Sequence, residues 1–123
     1  MESTNETMLH QRGGIWLVNF GAGRPGEPTK NRPAVIISDP LMSRGGIHDL
    51  LVVVPLSSSV TRAPARPDVP ASPETGLERD SVAMAAGLRG IAPSRLLKRL
   101  GHLNDETMNS ITRVVAALLR LAF

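Results

Sequence analysis

The chain has 123 residues, 41% of them hydrophobic and 20% charged, which suits one folded domain with a single core. Fourteen Lys and Arg against 11 Asp and Glu give a net charge of +3, and the complete lack of Cys excludes a disulfide scaffold, a thiolate metal site and a cysteine nucleophile. Twelve of the bases are Arg and no Tyr is present, so the pI of 10.6 reflects a shortage of groups that shed protons rather than strong basicity at neutral pH.

Residues 1–11 open with Met-Glu-Ser-Thr-Asn-Glu-Thr-Met, polar and acidic, the reverse of a secretory leader. They are expected to form a disordered leader, or an over-long start with Met8 as the true initiator. No apolar run approaches the ~20 residues that span a bilayer, and a cysteine-free composition suits the cytoplasm. Residues 14–20 (Gly-Ile-Trp-Leu-Val-Asn-Phe) read as a first strand, followed by a loop of Gly, Pro and charge over 21–31. Residues 33–38 (Pro-Ala-Val-Ile-Ile-Ser) form a second strand, closed by Asp39-Pro40. Residues 50–55 (Leu-Leu-Val-Val-Val-Pro) form a third, whose unbroken apolar run predicts burial on both faces. Pro64, Pro67, Pro70 and Pro73 confine any strand between 60 and 76 to a short piece or an edge. Two more short strands are predicted at 81–85 and 87–91.

The C-terminus is helical. Asn104 is placed to cap, with Asp105 and Glu106 in the first turn and Leu103 spaced from Met108 as a hydrophobic staple. Met108, Ile111, Val115, Leu118 and Ala122 share one face; Glu106, Asn109, Arg113 and Arg120 share the other. Short strands with Gly/Pro turns and one amphipathic helix give a mainly β fold, a small curled barrel with a C-terminal helix.

Residues 21–26 spell Gly-Ala-Gly-Arg-Pro-Gly, a literal G-x-G-x-x-G after a strand. That fingerprint needs a helix whose N-terminus meets a pyrophosphate. Pro25, Pro28 and Pro33 leave no helix here, so a flexible basic loop is expected instead. His10, His48 and His102 are scattered without ligand spacing, and neither a metal nor another cofactor is expected.

Two places can carry chemistry. Arg32, biased to extended backbone by Pro33, stands at the rim of an apolar strand, where a guanidinium can clamp a phosphate with paired donors. Ser57, Ser58 and Ser59 follow the third strand, where serines ordinarily form turns. They lack the G-x-S-x-G setting of a hydrolase nucleophile. Glu27 lies in the loop before Arg32, and Glu78-Arg79-Asp80-Ser81 reads as a solvated charged turn.

In order, Arg12-Gly13-Gly14-Ile15-Trp16, Asn31-Arg32-Pro33-Ala34-Val35-Ile36-Ile37-Ser38, Val54-Pro55-Leu56-Ser57-Ser58-Ser59, Glu78-Arg79-Asp80-Ser81-Val82 and Gly101-His102-Leu103 before the helix resemble the MazF/PemK family. These are the endoribonuclease toxins of toxin–antitoxin pairs. The resemblance covers residues 12–123, taken as one toxin domain. It implies an SH3-like barrel, a homodimer, and sequence-specific cleavage of single-stranded RNA without metal. Arg32 matches the family's catalytic arginine, Ser57 its catalytic hydroxyl (usually threonine), and Glu27 a loop glutamate implicated in activity or RNA contact. RNA contact is expected of Arg24, Lys30 and Asn31 in the loop, of Ser58 and Ser59, and of Asn19. The sequence departs from the family at Gly14, at Asn19, each usually acidic, and at Gly87, usually glutamine.

The implied chemistry is attack of the RNA 2′-hydroxyl on its own 3′-phosphate, leaving a 2′,3′-cyclic phosphate, or its hydrolysed 3′-phosphate, and a 5′-hydroxyl. Arg32 and Ser57 would stabilise the phosphorane, with Glu27 the candidate base. The implied partner is an antitoxin with a disordered acidic tail. A gyrase-binding CcdB-like toxin of the same fold and an inactive RNA-binding regulatory homologue are the alternatives. A peptide-binding module would want an aromatic-lined groove, which Trp16, Phe20 and Phe123 can hardly supply.

Overall fold

The computed structural model of the protein describes residues 10–25, 30–39 and 50–121. In chain order its strands are β1 (Gly14–Asn19), β2 (Asn31–Ile36), β3 (Leu51–Ser57), β4 (Asp68–Val69), β5 (Ser81–Ala83), β6 (Arg89–Ile91) and β7 (Leu96–His102). One helix follows, α1 (Asp105–Leu118). The sheet runs β4-β5-β3-β2-β1-β7, with β6 also paired to β3, and each of these pairings is antiparallel. Register shifts on β1 between Ile15 and Trp16 and between Leu17 and Val18 act as bulges that curl the sheet against β7. The expected mainly β architecture with a C-terminal helix is the one formed.

Alternation along the strands gives the sheet two apolar faces. Ile15, Val35, Val54 and Leu56 lie on one, packed with Met108 and Ile111 of α1. Val18, Ala34, Ile36, Leu51 and Val53 lie on the other, with Phe20 and Ile91. The third strand is therefore buried on both sides, as its apolar run requires.

β3 continues two residues past its expected end at Pro55. In a strand, one residue's N–H and C=O point to the same side. The Pro55 carbonyl accepts from Met84 N at 2.8 Å, away from β2, so the missing N–H costs no bond to β2. It falls where the outer edge of β3 passes from β6 to β5. The later strands are shorter than expected, because a 3-10 turn at Ala85–Gly87 separates β5 from β6. Only β4 forms among the prolines, at the sheet's edge.

The helix begins as its sequence dictates, Asn104 Oδ1 accepting from Thr107 N at 2.8 Å. Leu103 and Met108 are buried in the same cluster. Arg12 donates to the Ile37 carbonyl and, at 2.7 Å, to Thr112 Oγ1, tying β2 to α1. The apolar face is shorter than expected. Leu118 is 46% exposed, since Arg120 turns the chain at a φ of 56° and Leu121 N bonds back to Ala116 O at 2.8 Å. Ala122 lies outside the described residues, as does the leader through residue 9.

β7 has no counterpart in the expected elements. Its Leu-Leu-Lys-Arg-Leu-Gly-His run is half exposed and lacks alternation, so only its partners make it a strand. One is β1. The other is the turn over residues 74–76, where His102 N donates to the Glu74 carbonyl at 2.9 Å. The two backbones approach so closely that a Cβ on residue 101 would overlap the Glu74 carbonyl oxygen and lie 2.6 Å from that of Thr75. A Cβ on residue 76, whose φ is +68°, would overlap the Leu100 carbonyl oxygen. Gly101→Ala is therefore expected to cost about 2–3 kcal/mol. Urea unfolding should show a lowered midpoint, whereas Ser110→Ala on the exposed helix face should stay within about 0.5 kcal/mol of the parent.

Candidate active site

The β2–β3 register explains why two motifs distant in sequence meet. Ala34 stands opposite Pro55, and counting two residues outward from each brings Arg32 level with Ser57. The ladder stops at Ala34 and Pro55, while on the opposite edge of β3 Leu56 and Ser57 pair with Ala83 and Val82 of β5. Where β2 and β3 part, a cleft of about 550 Å³ opens, lined by Arg32 and Pro33 on one side and by residues 56–59 on the other. Arg32 is half-buried there, on the extended backbone its following proline imposes.

Ser57 forms the turn expected of it, its hydroxyl meeting the backbone two residues on, but from within the strand. It is the last residue of β3 and only 6% exposed. Its Oγ accepts from Ser59 N at 3.3 Å and lies 3.3 Å from Ser59 Oγ. The Ser57 hydroxyl proton is then directed to Ser59 Oγ or to a group entering the cleft.

The far wall comes from β7 and the turn packed on it. Lys98 and Leu100 contribute from β7, Glu78 and Arg79 from the end of the turn. Thr75, buried beneath, holds that turn together. Its Oγ1 accepts from Ser72 N at 3.0 Å and donates to the Pro70 carbonyl at 3.1 Å, while Thr75 N donates to Ser72 Oγ at 3.1 Å. Leu77, two residues on, is itself buried in the core. Glu78 thus projects from a fixed support. Among the described residues, Arg32, Arg79 and Lys98 line the cleft as cations and Glu78 as a carboxylate. A neighbouring pocket of about 430 Å³ shares Ser57, Ser58 and Ser81 with it and holds the Arg62–Asp68 ion pair.

Of the residues singled out from sequence, the cleft gathers Arg32, Ser57, Ser58 and Ser59. Asn19, Lys30 and Asn31 stand at the neck of the β1–β2 hairpin, outside that lining. Asn19 pairs with Asn31, and its Oδ1 accepts from Gly21 N at 2.9 Å. Lys30, at a φ of 59°, exchanges backbone hydrogen bonds with Phe20 and Gly21. Arg24 is exposed in the loop. Glu27 lies outside the described residues. The glycine-rich segment joins two antiparallel strands of a hairpin, so no parallel crossover of a dinucleotide fold exists there. Glu78, Arg79 and Lys98 are cleft residues that the sequence did not reveal. Glu78 and Arg79 read as a solvated turn, and Lys98 sits in the unexpected strand.

Among the described residues, none that lines the cleft is aromatic. Phe20 is buried under the Arg89 guanidinium, 5.6 Å from its ring centre, and Trp16 meets His10 edge to face at 5.9 Å. Among the described residues, no three His, Asp or Glu converge as an ion site, and no helix is long and apolar enough to cross a membrane. Thr75→Val keeps the shape of the buried residue but removes the hub of the turn. It should cost about 2–3 kcal/mol in urea unfolding, since Ser72 N and the Pro70 carbonyl lose a partner.

Residues 11–119 match the family described as PemK-like, MazF-like toxin of type II toxin–antitoxin system. The chain is 30% identical over 99 residues to Endoribonuclease MazF9 of Mycobacterium tuberculosis, covering 78% of this chain and 84% of that one. Among solved structures it is similar to MazF from Deinococcus radiodurans, with a TM-score of 0.76, 21% identity, and coverage of 90% of this chain and 96% of that one. It is also similar to an endoribonuclease from a mycobacterial species in complex with its cognate antitoxin, with a TM-score of 0.71, 23% identity, and coverage of 92% and 97%. These structural likenesses establish the shared fold.

Proposed function

We propose, from the premise that the chain belongs to the PemK-like, MazF-like toxins of type II toxin–antitoxin systems, that it is a sequence-specific endoribonuclease which cuts single-stranded RNA without a metal ion. The observation that carries this reading is the convergence of Arg32 and Ser57 on one cation-lined cleft at the point where β2 and β3 separate.

RNA brings its own nucleophile. The 2′-hydroxyl is tethered beside the phosphorus, so the orientation a metal or an activated water would supply is built into the substrate. The protein must stabilise the charge that gathers on the phosphorane. Arg32 offers two donors to the equatorial oxygens and Ser57 a third. The 2′-oxygen bonds to phosphorus, the bond to the 5′-oxygen breaks, and the products are a 2′,3′-cyclic phosphate and a 5′-hydroxyl. A single strand is favoured because its bases can be splayed and read on their edges. With no aromatic side chain among the described residues of the cleft, that reading rests on hydrogen bonds from Ser58, Ser59 and the cations.

In the same reading the toxin domain spans residues 12–123, acts in the cytoplasm as a homodimer, and is silenced by a cognate antitoxin. A disordered acidic tail suits the cations that line the cleft and would occupy that cleft in competition with RNA. Arg24, Lys30, Asn31 and Asn19 at the hairpin neck extend the RNA path beyond the cleft.

The test is a cleavage assay on a long single-stranded RNA, with mapping of the 5′-hydroxyl ends. Cleavage should persist in EDTA and stop at sites where a 2′-deoxynucleotide replaces the target. Arg32→Ala should lower the rate at least about 100-fold with the fold intact by circular dichroism. Cleavage at a 2′-deoxy site would refute the mechanism, and no cleavage with unchanged gyrase inhibition would favour the CcdB-like alternative.

A further inference from the structure

Attack by a 2′-hydroxyl needs a group to take its proton, and the proposed pair of Arg32 and Ser57 supplies none. An arginine stays protonated at neutral pH, and a serine hydroxyl is no stronger a base than the hydroxyl it would serve. The cleft supplies one. Among the described residues that line it, only Glu78 has a carboxylate, and none is histidine; Glu27 lies outside them. The other ionisable groups there are Arg32 from β2, Arg79 from the same turn and Lys98 from β7, all cations. The nearby carboxylates of Glu74, Asp68 and Asp80 are not among its lining residues.

Glu78 is exposed to solvent, but its backbone stands on a firm support. The turn before it is closed by the Thr75 hydrogen bonds, fastened to β7 through His102 N and Glu74 O, and pinned by buried Leu77. Gly76 and Gly101 let the two backbones touch, so the chain just before Glu78 is held against β7.

We infer that Glu78 is the proton acceptor of the cleavage step, facing Arg32 and Ser57 across the cleft, an inference that rests on the nuclease reading given above. The 2′-hydroxyl proton passes to the Glu78 carboxylate as the 2′-oxygen bonds to phosphorus. The bond from phosphorus to the 5′-oxygen breaks, and that oxygen takes a proton from the Lys98 ammonium. Solvent then takes up the proton held by Glu78 and restores the one lost by Lys98. The cations that line the cleft with Glu78 hold the phosphate near it.

The experiment compares single-turnover cleavage of a long single-stranded RNA by the parent, Glu78→Gln and Glu78→Asp across acidic to alkaline pH. Affinity is measured in parallel on the same RNA made uncleavable by 2′-O-methylation. Glu78→Gln should lose at least about 100-fold in rate and lose the acidic limb of the pH profile, with affinity and melting temperature unchanged. Glu78→Asp should keep that limb at a reduced rate. A Gln variant within about 3-fold of the parent, with the same pH profile, overturns the inference and leaves the nuclease reading standing. A rate loss matched by an equal loss of affinity also overturns it, because Glu78 would then only place the RNA. If the parent itself cuts no RNA, the nuclease reading fails and the inference fails with it.

Discussion

The contact between the turn over residues 74–76 and strand β7 is the constraint on which the rest of the structure depends. Two backbones lie against each other there because residues 76 and 101 carry no Cβ. The contact gives an otherwise unremarkable, half-exposed segment its second partner and so makes β7 a strand. It also fixes the far wall of the cleft whose near wall is the parting of β2 from β3. Without it, Arg32 and Ser57 would line a cleft open on its far side, where a phosphate contact is screened by water and salt. With it, they face Lys98, Arg79 and Glu78 across a bounded space.

Charge is economical in this arrangement. The whole chain carries only +3, yet three of its cations border one cleft. Binding nucleic acid by bulk electrostatics requires many phosphate contacts and becomes strongly salt-dependent. A small, localised set of cations is better suited to an enzyme that must release its product. On the proposed reading, the same cations would give an acidic antitoxin tail its place. The bias toward Arg matters for the same reason, since a guanidinium meets a phosphate through paired donors where an ammonium meets it as a point charge.

Much of this was legible in the sequence where local signals and long-range packing agree. The apolar runs of β2 and β3, the Asn104 cap and the Leu103–Met108 staple all declare themselves, and all form. β7 was not legible, because its strand state comes from neighbours 60 or more residues away in the case of β1 and from a glycine contact that leaves no periodic signature. The same gap hid half the site. Lys98 sits on that strand, and Glu78 and Arg79 gain their meaning only once the turn is folded onto it. Pro55 misled in the opposite sense, marking a strand end where the chain merely changes partners on its outer edge. Ser57 was singled out by resemblance, but its burial as the last residue of β3 follows from the pairing with Val82.

The central claim is that RNA enters the cleft between the end of β3 and β7. Backbone NMR of the labelled protein, titrated with a single-stranded RNA blocked by 2′-O-methylation, tests it most directly. The largest shift changes should fall on Arg32, residues 57–59, Glu78, Arg79 and Lys98. Changes confined to the exposed face of α1, with the cleft residues unmoved, would contradict it.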